Sequence, residues 1–179
     1  MYPEIRFVKR ENLKAKPEDE SKLGFGHIFT DYMFIMDYDI SKGWYDPRIV
    51  PYGPMEMDPS SMVFHYGQAI FEGLKAYRQP DSTIRLFRPR LNFERANHSN
   101  ERMDIPSIDV DFCLHALKTL LRIEADWVPT SEGTSLYIRP FIIAMDPYLG
   151  VRSAHQYRFM IILSPSGMYY PQGLAPVPI

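Results

Sequence analysis

Between Ser107 and Pro129 the chain reads SIDVDFCLHALKTLLRIEADWVP, and two long apolar runs follow it, SLYIRPFIIAM (135–145) and YRFMIILSP (157–165). This succession constrains the fold more than any other feature. Val110, Leu114, Leu117, Leu121 and Ala125 recur at three- and four-residue intervals and predict one apolar helix face. Ser107 or Asp109 is placed to cap it and Pro129 to stop it. Two long strands behind one amphipathic helix predict a sheet with helices laid on a face.

The rest of the chain supplies more strands than helices. Residues 4–8 read as a short strand, 9–22 as a charged loop, and FTDYMFIMDYD (29–39) as an aromatic-rich strand. SKGW then gives turn chemistry, and PRIVPYGPMEMDP carries too many prolines to predict regular structure. Ser60 or Ser61 caps a predicted helix running to about Phe71, with His65, Tyr66 and Gln68 on it. Gly73 would swing the chain out of that helix into a hairpin, 73–78 and 84–88, joined by QPDST. RPRLNFERANHSNERM opens a further helix with Pro89 in its first turn. The order β-β-α-β-β-α-α-β-β with hairpin-length connections predicts an α+β fold with a mainly antiparallel sheet. PSGMYYPQGLAPVPI at the end reads as an interdomain linker, which divides the chain into residues 1–165 and 166–179.

Composition excludes several functional classes. The 179 residues carry a formal net charge of −2, which gives no electrostatic case for nucleic acid or an anionic membrane. No apolar run reaches the ~20 residues that span a bilayer. The N-terminal segment MYPEIRFVKRENLKAKPEDESK has no apolar core of a leader peptide, so a cytoplasmic location is expected. The single cysteine, Cys113, rules out an internal disulfide and a multi-cysteine zinc site, and its helical setting favours a buried thiol; no metal site is expected. There is no Walker loop, no G-x-G-x-x-G and no nucleophile elbow.

A few side chains stand out for chemistry. Arg95 in LNFERANHSNER is either a solvated helix arginine paired with Glu94 or Glu101, or a phosphate grip flanked by Asn92 and His98. Tyr137 and Arg139, two apart on a strand, share a face and are suited to a carboxylate; Arg139 as an edge charge is equally consistent. Tyr66 and Phe71 are either core aromatics or an apolar pocket wall. Lys75 reads as a strand-exposed lysine rather than a nucleophile. Leu149 and Val151 in DPYLGV read as apolar residues at a loop tip, open to a partner.

Taken together, FHYGQAIFEGLKAYR, IRLFRPRLNFERANHSNERM, SLYIRP and DPYLGV resemble the N-terminal half of the branched-chain amino-acid aminotransferases, pyridoxal-phosphate enzymes of the D-amino-acid-aminotransferase fold type. GHIFTDYMF and PSGMYYPQG resemble family segments as well, so the likeness runs from about Phe25 to the linker. The resemblance implies the small domain of that fold. It implies that Arg95 binds the cofactor phosphate and that Phe25, Tyr66, Phe71 and Tyr169 line the aliphatic substrate pocket. It implies that Tyr137 and Arg139 lie near the substrate carboxylate, and that Leu149 and Val151 reach a neighbouring subunit's site in a homodimer. The implied substrates are leucine, isoleucine or valine with 2-oxoglutarate. The family's cofactor-bearing lysine lies in a second domain, and none of the seven lysines here stands in its motif. No catalytic residue is therefore expected in this chain, which is expected to be inactive by itself and to hold pyridoxal phosphate weakly or not at all. Related readings of the same fold are a D-amino-acid aminotransferase, an aminodeoxychorismate lyase, or a non-catalytic binding or dimerisation module.

Overall fold

The computed structural model describes residues 2–167; Met1 and residues 168–179, with Tyr169 and nearly all of the expected linker, lie outside the described residues. In chain order the elements are β1 (Arg6–Phe7), β2 (Tyr32–Asp39), β3 (Gly43–Pro51), α1 (Met62–Tyr66), β4 (Ala69–Phe71), β5 (Leu74–Arg78), β6 (Ile84–Leu86), α2 (Pro89–Arg102), α3 (Val110–Ile123), β7 (Ser135–Ala144) and β8 (Gln156–Ser166). Single 3-10 turns occur at Glu20–Lys22 and Ala125–Trp127. One sheet runs β1-β3-β2-β8-β7-β5-β6, with β4 pairing β7 beside β5. All pairs are antiparallel except β1 with β3, so the fold is α+β as expected. Among the described residues no helix is long and apolar enough to cross a membrane.

α2 and α3 cover one face of the sheet. Phe93 and Ala96 from α2 and Cys113, Ala116, Leu117 and Leu120 from α3 meet Phe34, Ile138, Ile142, Phe159 and Ile161 in one buried cluster. Alternation along β7 and β8 sends the even residues of β7 and the odd residues of β8 into this core. Asp109 caps α3 by accepting from the Phe112 amide at 3.0 Å. The buried stripe of α3 is rotated from the predicted one. Cys113, Ala116 and Leu120 are fully buried, while Val110 and Leu114 are only half-buried at its edge. Burial raises the Cys113 thiol far above its ordinary range, and the cysteine acts as a small core hydrophobe. On the opposite face Met33, Ile35 and Met160 form a smaller cluster with Val50, Tyr52, Met55, Phe141 and Ile162.

Two expectations are corrected. Residues 43–51 form β3 despite Pro47 and Pro51. The register against β2 shifts between Ile35 and Asp37, and Asp46 sits at φ +49°. Pro47 thus falls in a β-bulge, where no ladder amide is required, and Pro51 ends the strand. The second correction concerns α1, which stops at Tyr66 and does not reach Phe71. Gly67 takes φ +62° and closes the helix as its left-handed cap. Phe71 belongs to β4 instead.

Candidate active site

β4 and β5 share one register against β7 with a break between them. Phe71 pairs with Phe141 and Leu74 with Ile138, which sets Glu72 opposite Pro140 and Gly73 opposite Arg139. The Glu72 amide donates to the Pro140 carbonyl at 2.8 Å. A strand residue's N–H and C=O point to the same side, so the amide that proline lacks is the one that would have met the Glu72 carbonyl. The ladder is interrupted there, between Phe71 and Leu74. Gly73 has a different task from the predicted one. Its φ is not positive, and a Cβ on it would collide with the Tyr137 hydroxyl, so any other residue here forces that side chain to move.

Alternation across the break separates two groups of side chains. Ile70, Glu72 and Leu74 turn to the buried, helix-covered face. There Glu72, 5% exposed, accepts from Arg95 through Nε at 2.8 Å and Nη2 at 2.6 Å, and from Asn92 Nδ2 at 3.0 Å. Asn92 also donates to the Gly73 carbonyl at 3.3 Å. Burial pushes the Glu72 carboxyl up, but the Arg95 and Asn92 hydrogen bonds and the Arg95 charge outweigh it and hold the group ionised below its usual range. The same bond raises Arg95. Arg95 is paired with neither Glu94 nor Glu101; its side chain is 64% exposed and reaches outward from Glu72.

Phe71 and Gly73 turn to the other face, where Tyr137 and Arg139 also point. Arg139 Nη2 donates to the Tyr137 hydroxyl at 2.8 Å, and the guanidinium lies 4.5 Å from the Phe71 ring centre. Phe25 meets Tyr137 edge-on at 4.9 Å between ring centres. Arg139 Nε is buried and has no hydrogen-bond partner among the described residues. Four of the residues singled out in the sequence, Phe25, Phe71, Tyr137 and Arg139, thus form one cluster, with a cation whose donors are incompletely used. Phe71 is 65% exposed and is no core residue. Lys75 pairs with Tyr137 in the ladder and is half-buried.

Tyr66 is half-exposed and its hydroxyl donates to the Leu149 carbonyl, which joins the end of α1 to the 146–155 loop. Buried Asp146 shapes that loop by accepting from Arg152 Nη2 at 2.7 Å and the His155 amide at 3.0 Å. Leu149 and Val151 stand out at 61% and 89% exposure, at the tip as expected. Gln68, placed in the sequence on the helix that carries Tyr66, lies beyond its end and is buried and structural: it donates to the Met103 carbonyl at 2.8 Å and accepts from the Ala154 amide at 3.1 Å. A separate cavity of about 640 Å³ opens between the β5–β6 hairpin and α3, lined by Arg78, Ile84, Leu86, Lys118, Leu121 and Arg122. Among the described residues, none of the singled-out site residues lines it.

Sequence reasoning missed Glu72 and the true role of Gly73. The signal for Glu72 was present, because an acid at the buried parity of Ile70-x-Glu72-x-Leu74 requires a cation on the covering helix.

No protein-family model matches the chain. It is 57% identical over 175 residues to branched-chain-amino-acid aminotransferase 2 of Bacillus subtilis (strain 168), covering 98% of this chain and 48% of that protein. The chain spans about half the length of the curated relatives it matches. Among solved structures it is similar in fold to a branched-chain aminotransferase from Thermoproteus uzoniensis with norvaline, with a TM-score of 0.62 at 22% identity, over 78% of this chain and 43% of that one. It is also similar to the T.th. branched-chain amino acid aminotransferase complexed with N-(5'-phosphopyridoxyl)-L-glutamate, with a TM-score of 0.56 at 22% identity, over 74% and 40% of the two chains. The curled antiparallel sheet with helices on one face is the D-amino-acid-aminotransferase-like fold of these structures. The chain is a homologue of the branched-chain-amino-acid aminotransferases, matching about half the length of its relatives.

Proposed function

We propose that residues 1–165 are the small domain of a pyridoxal-phosphate-dependent branched-chain aminotransferase and that 166–179 lead into a cofactor-carrying domain. The whole protein, in this reading, moves the amino group of leucine, isoleucine or valine to 2-oxoglutarate and works as a homodimer. The sequence identity to aminotransferases of that name is the observation that carries the proposal.

The described residues fit one end of the cofactor. Arg95 offers an exposed guanidinium edge beyond its bond to Glu72, which suits a phosphate. They do not fit its carbonyl end. Lys14 is half-buried with its pKa lowered by burial and by Arg10, but its ammonium donates to the Phe29 and Thr30 carbonyls at 3.0 and 2.8 Å. Lys16 and Lys22 pair with Asp126 and Asp19, and Lys9, Lys42 and Lys118 are exposed. Lys75 is a half-buried strand lysine beside Tyr137, on the ladder rather than in a closed apolar pocket of the kind that activates an amine.

Bound pyridoxal phosphate supplies an electron sink that stabilises negative charge at the substrate α-carbon. The roles of this chain's residues are binding and exclusion of water. Arg95 takes the phosphate. Arg139, whose Nε has no hydrogen-bond partner among the described residues, and Tyr137 take the substrate carboxylate. Phe25, Tyr66 and Phe71 supply apolar surface for the branched side chain, with Tyr169 assigned to the same wall by resemblance. Leu149 and Val151 close a neighbouring subunit's site. The test is an assay of the complete protein for glutamate formed from 2-oxoglutarate with each branched-chain amino acid. Activity with D-alanine, and none with leucine, isoleucine or valine, would replace the proposal.

A further inference from the structure

From the geometry at the β4–β5 break we infer that Glu72 is a positioning residue for the phosphate site, an inference that rests on the role proposed above for Arg95. Glu72 takes the inner edge of the Arg95 guanidinium and turns the outer edge to the ligand. A guanidinium has two bidentate edges, one made by Nε with an Nη hydrogen and one made by the two Nη nitrogens. Glu72 occupies the first through Nε at 2.8 Å and Nη2 at 2.6 Å. Nη1 and the remaining Nη2 hydrogen are left on the outer edge. Without Glu72, a long side chain that is 64% exposed would sample many rotamers and present either edge.

The carboxylate is fixed well enough to do this. Glu72 is 5% exposed, its amide is bonded to the Pro140 carbonyl at 2.8 Å, and Asn92 Nδ2 holds its Oε2 at 3.0 Å. Asn92 and Arg95 lie on the same stretch of α2, so the helix sets both donors against one acid. The arrangement has an electrostatic cost, because a second anion approaching Arg95 is repelled by the Glu72 charge. The two effects have opposite signs when the charge is removed. If Glu72 acts only through its charge, Glu72→Gln tightens phosphate binding. If it orients Arg95, Glu72→Gln weakens it.

The experiment measures equilibrium affinity of the complete protein for pyridoxal 5'-phosphate and for pyridoxal, which lacks the phosphate. Glu72→Gln is expected to weaken pyridoxal 5'-phosphate by about tenfold, the affinity equivalent of one weakened charge-assisted hydrogen bond. Pyridoxal affinity should be unchanged. Asn92→Ala, which leaves the Arg95–Glu72 pair in place, should give a smaller loss of about threefold, again only for the phosphorylated ligand. Unchanged or tighter pyridoxal 5'-phosphate binding in Glu72→Gln, or an equal loss for both ligands, overturns the inference. If Glu72→Gln does not fold, Asn92→Ala decides, and an equal or absent effect on the two ligands counts against it. Arg95→Ala separates the two levels. Losing the phosphate preference in Arg95→Ala but not in Glu72→Gln sinks the positioning role and keeps the site, whereas keeping it in Arg95→Ala sinks both.

Discussion

No side chain can be built on residue 73 without striking the hydroxyl of Tyr137. That hydroxyl also accepts from Arg139 Nη2 at 2.8 Å, and the Phe25 ring packs edge-on against the same tyrosine. The space above Gly73 is thus what seats Tyr137, and Tyr137 is what aims Arg139. A backbone position without a side chain sets the direction of the cation at the centre of the candidate site.

Gly73→Ala should therefore destabilise the protein by ~1–3 kcal/mol, the range for forced overpacking. Gly53→Ala, where an added Cβ meets nothing within 4 Å, is the control and should stay within about 0.5 kcal/mol. Adding Tyr137→Phe to Gly73→Ala removes the colliding oxygen and should recover part of the loss. Urea denaturation of the three variants checks this, and a further loss in the double variant would show that the strain lies elsewhere.

Glu124 gives the stability a pH dependence. Burial pushes its carboxyl up to about 7 from an ordinary 4.5; the Tyr32 amide pulls the other way, and the neighbouring Asp31 charge adds to the rise. Asp31 is itself held by the Lys14 amide at 2.7 Å and Trp127 Nε1 at 2.8 Å, with Arg10 at 3.9 Å. A carboxyl raised in the folded state favours folding when protonated. Its contribution is complete below about pH 4.5 and is lost as pH rises through about 7. Glu124→Gln keeps an acceptor for Tyr32 and removes the titration. Above pH 8 it should be more stable than the wild type by on the order of 1–3 kcal/mol, with little difference at pH 4.5. Thermal melts across pH 4.5–8.5 would show it, and parallel curves for the two proteins would contradict it.

Phe71 tests the substrate assignment without disturbing the core, because the ring is 65% exposed and stacks on Arg139. Phe71→Ala in the complete protein should reduce kcat/KM for leucine and isoleucine more than for glutamate. Each buried methylene contributes about 0.8 kcal/mol, so the difference should be tens-fold at most. Equal losses on all three substrates would mean that Phe71 acts on Arg139 and not on the aliphatic side chain.

How much of this was legible beforehand follows from the range of each interaction. α2, α3, the β5–β6 hairpin and the β7–β8 pair are set by local periodicity, caps and turns, and they stand in the sequence nearly as they fold. The partition of Tyr137 and Arg139 from Leu136 and Ile138 follows from strand alternation alone. β3 was hidden because Pro47 is tolerated only at a bulge, and a bulge is a property of two strands in register. The helix end at Gly67 and the strand at β4 were hidden by glycines of opposite purpose, one chosen for positive φ and one for space. Glu72 was overlooked because its partner stands 23 residues away on another element. The grouping of Phe25 with Tyr137 needed the fold itself.

The final prediction is that residues 1–179 alone carry out no transamination. The reaction needs an amine that holds the cofactor and moves a proton at the substrate α-carbon, and lysine serves when it is desolvated and its pKa lowered. Burial lowers the pKa of Lys14, but its ammonium is committed to the Phe29 and Thr30 carbonyls and lies 4.6 Å over the Tyr52 ring. Arg95 alone offers a charge-assisted contact of about 2–3 kcal/mol, far short of the binding that holds a cofactor through purification. Purified residues 1–179 incubated with pyridoxal 5'-phosphate, reduced with borohydride and mapped by mass spectrometry should show slow, scattered labelling of exposed lysines and no leucine-dependent glutamate. Stoichiometric labelling of one lysine together with turnover would show that this half carries its own catalytic amine.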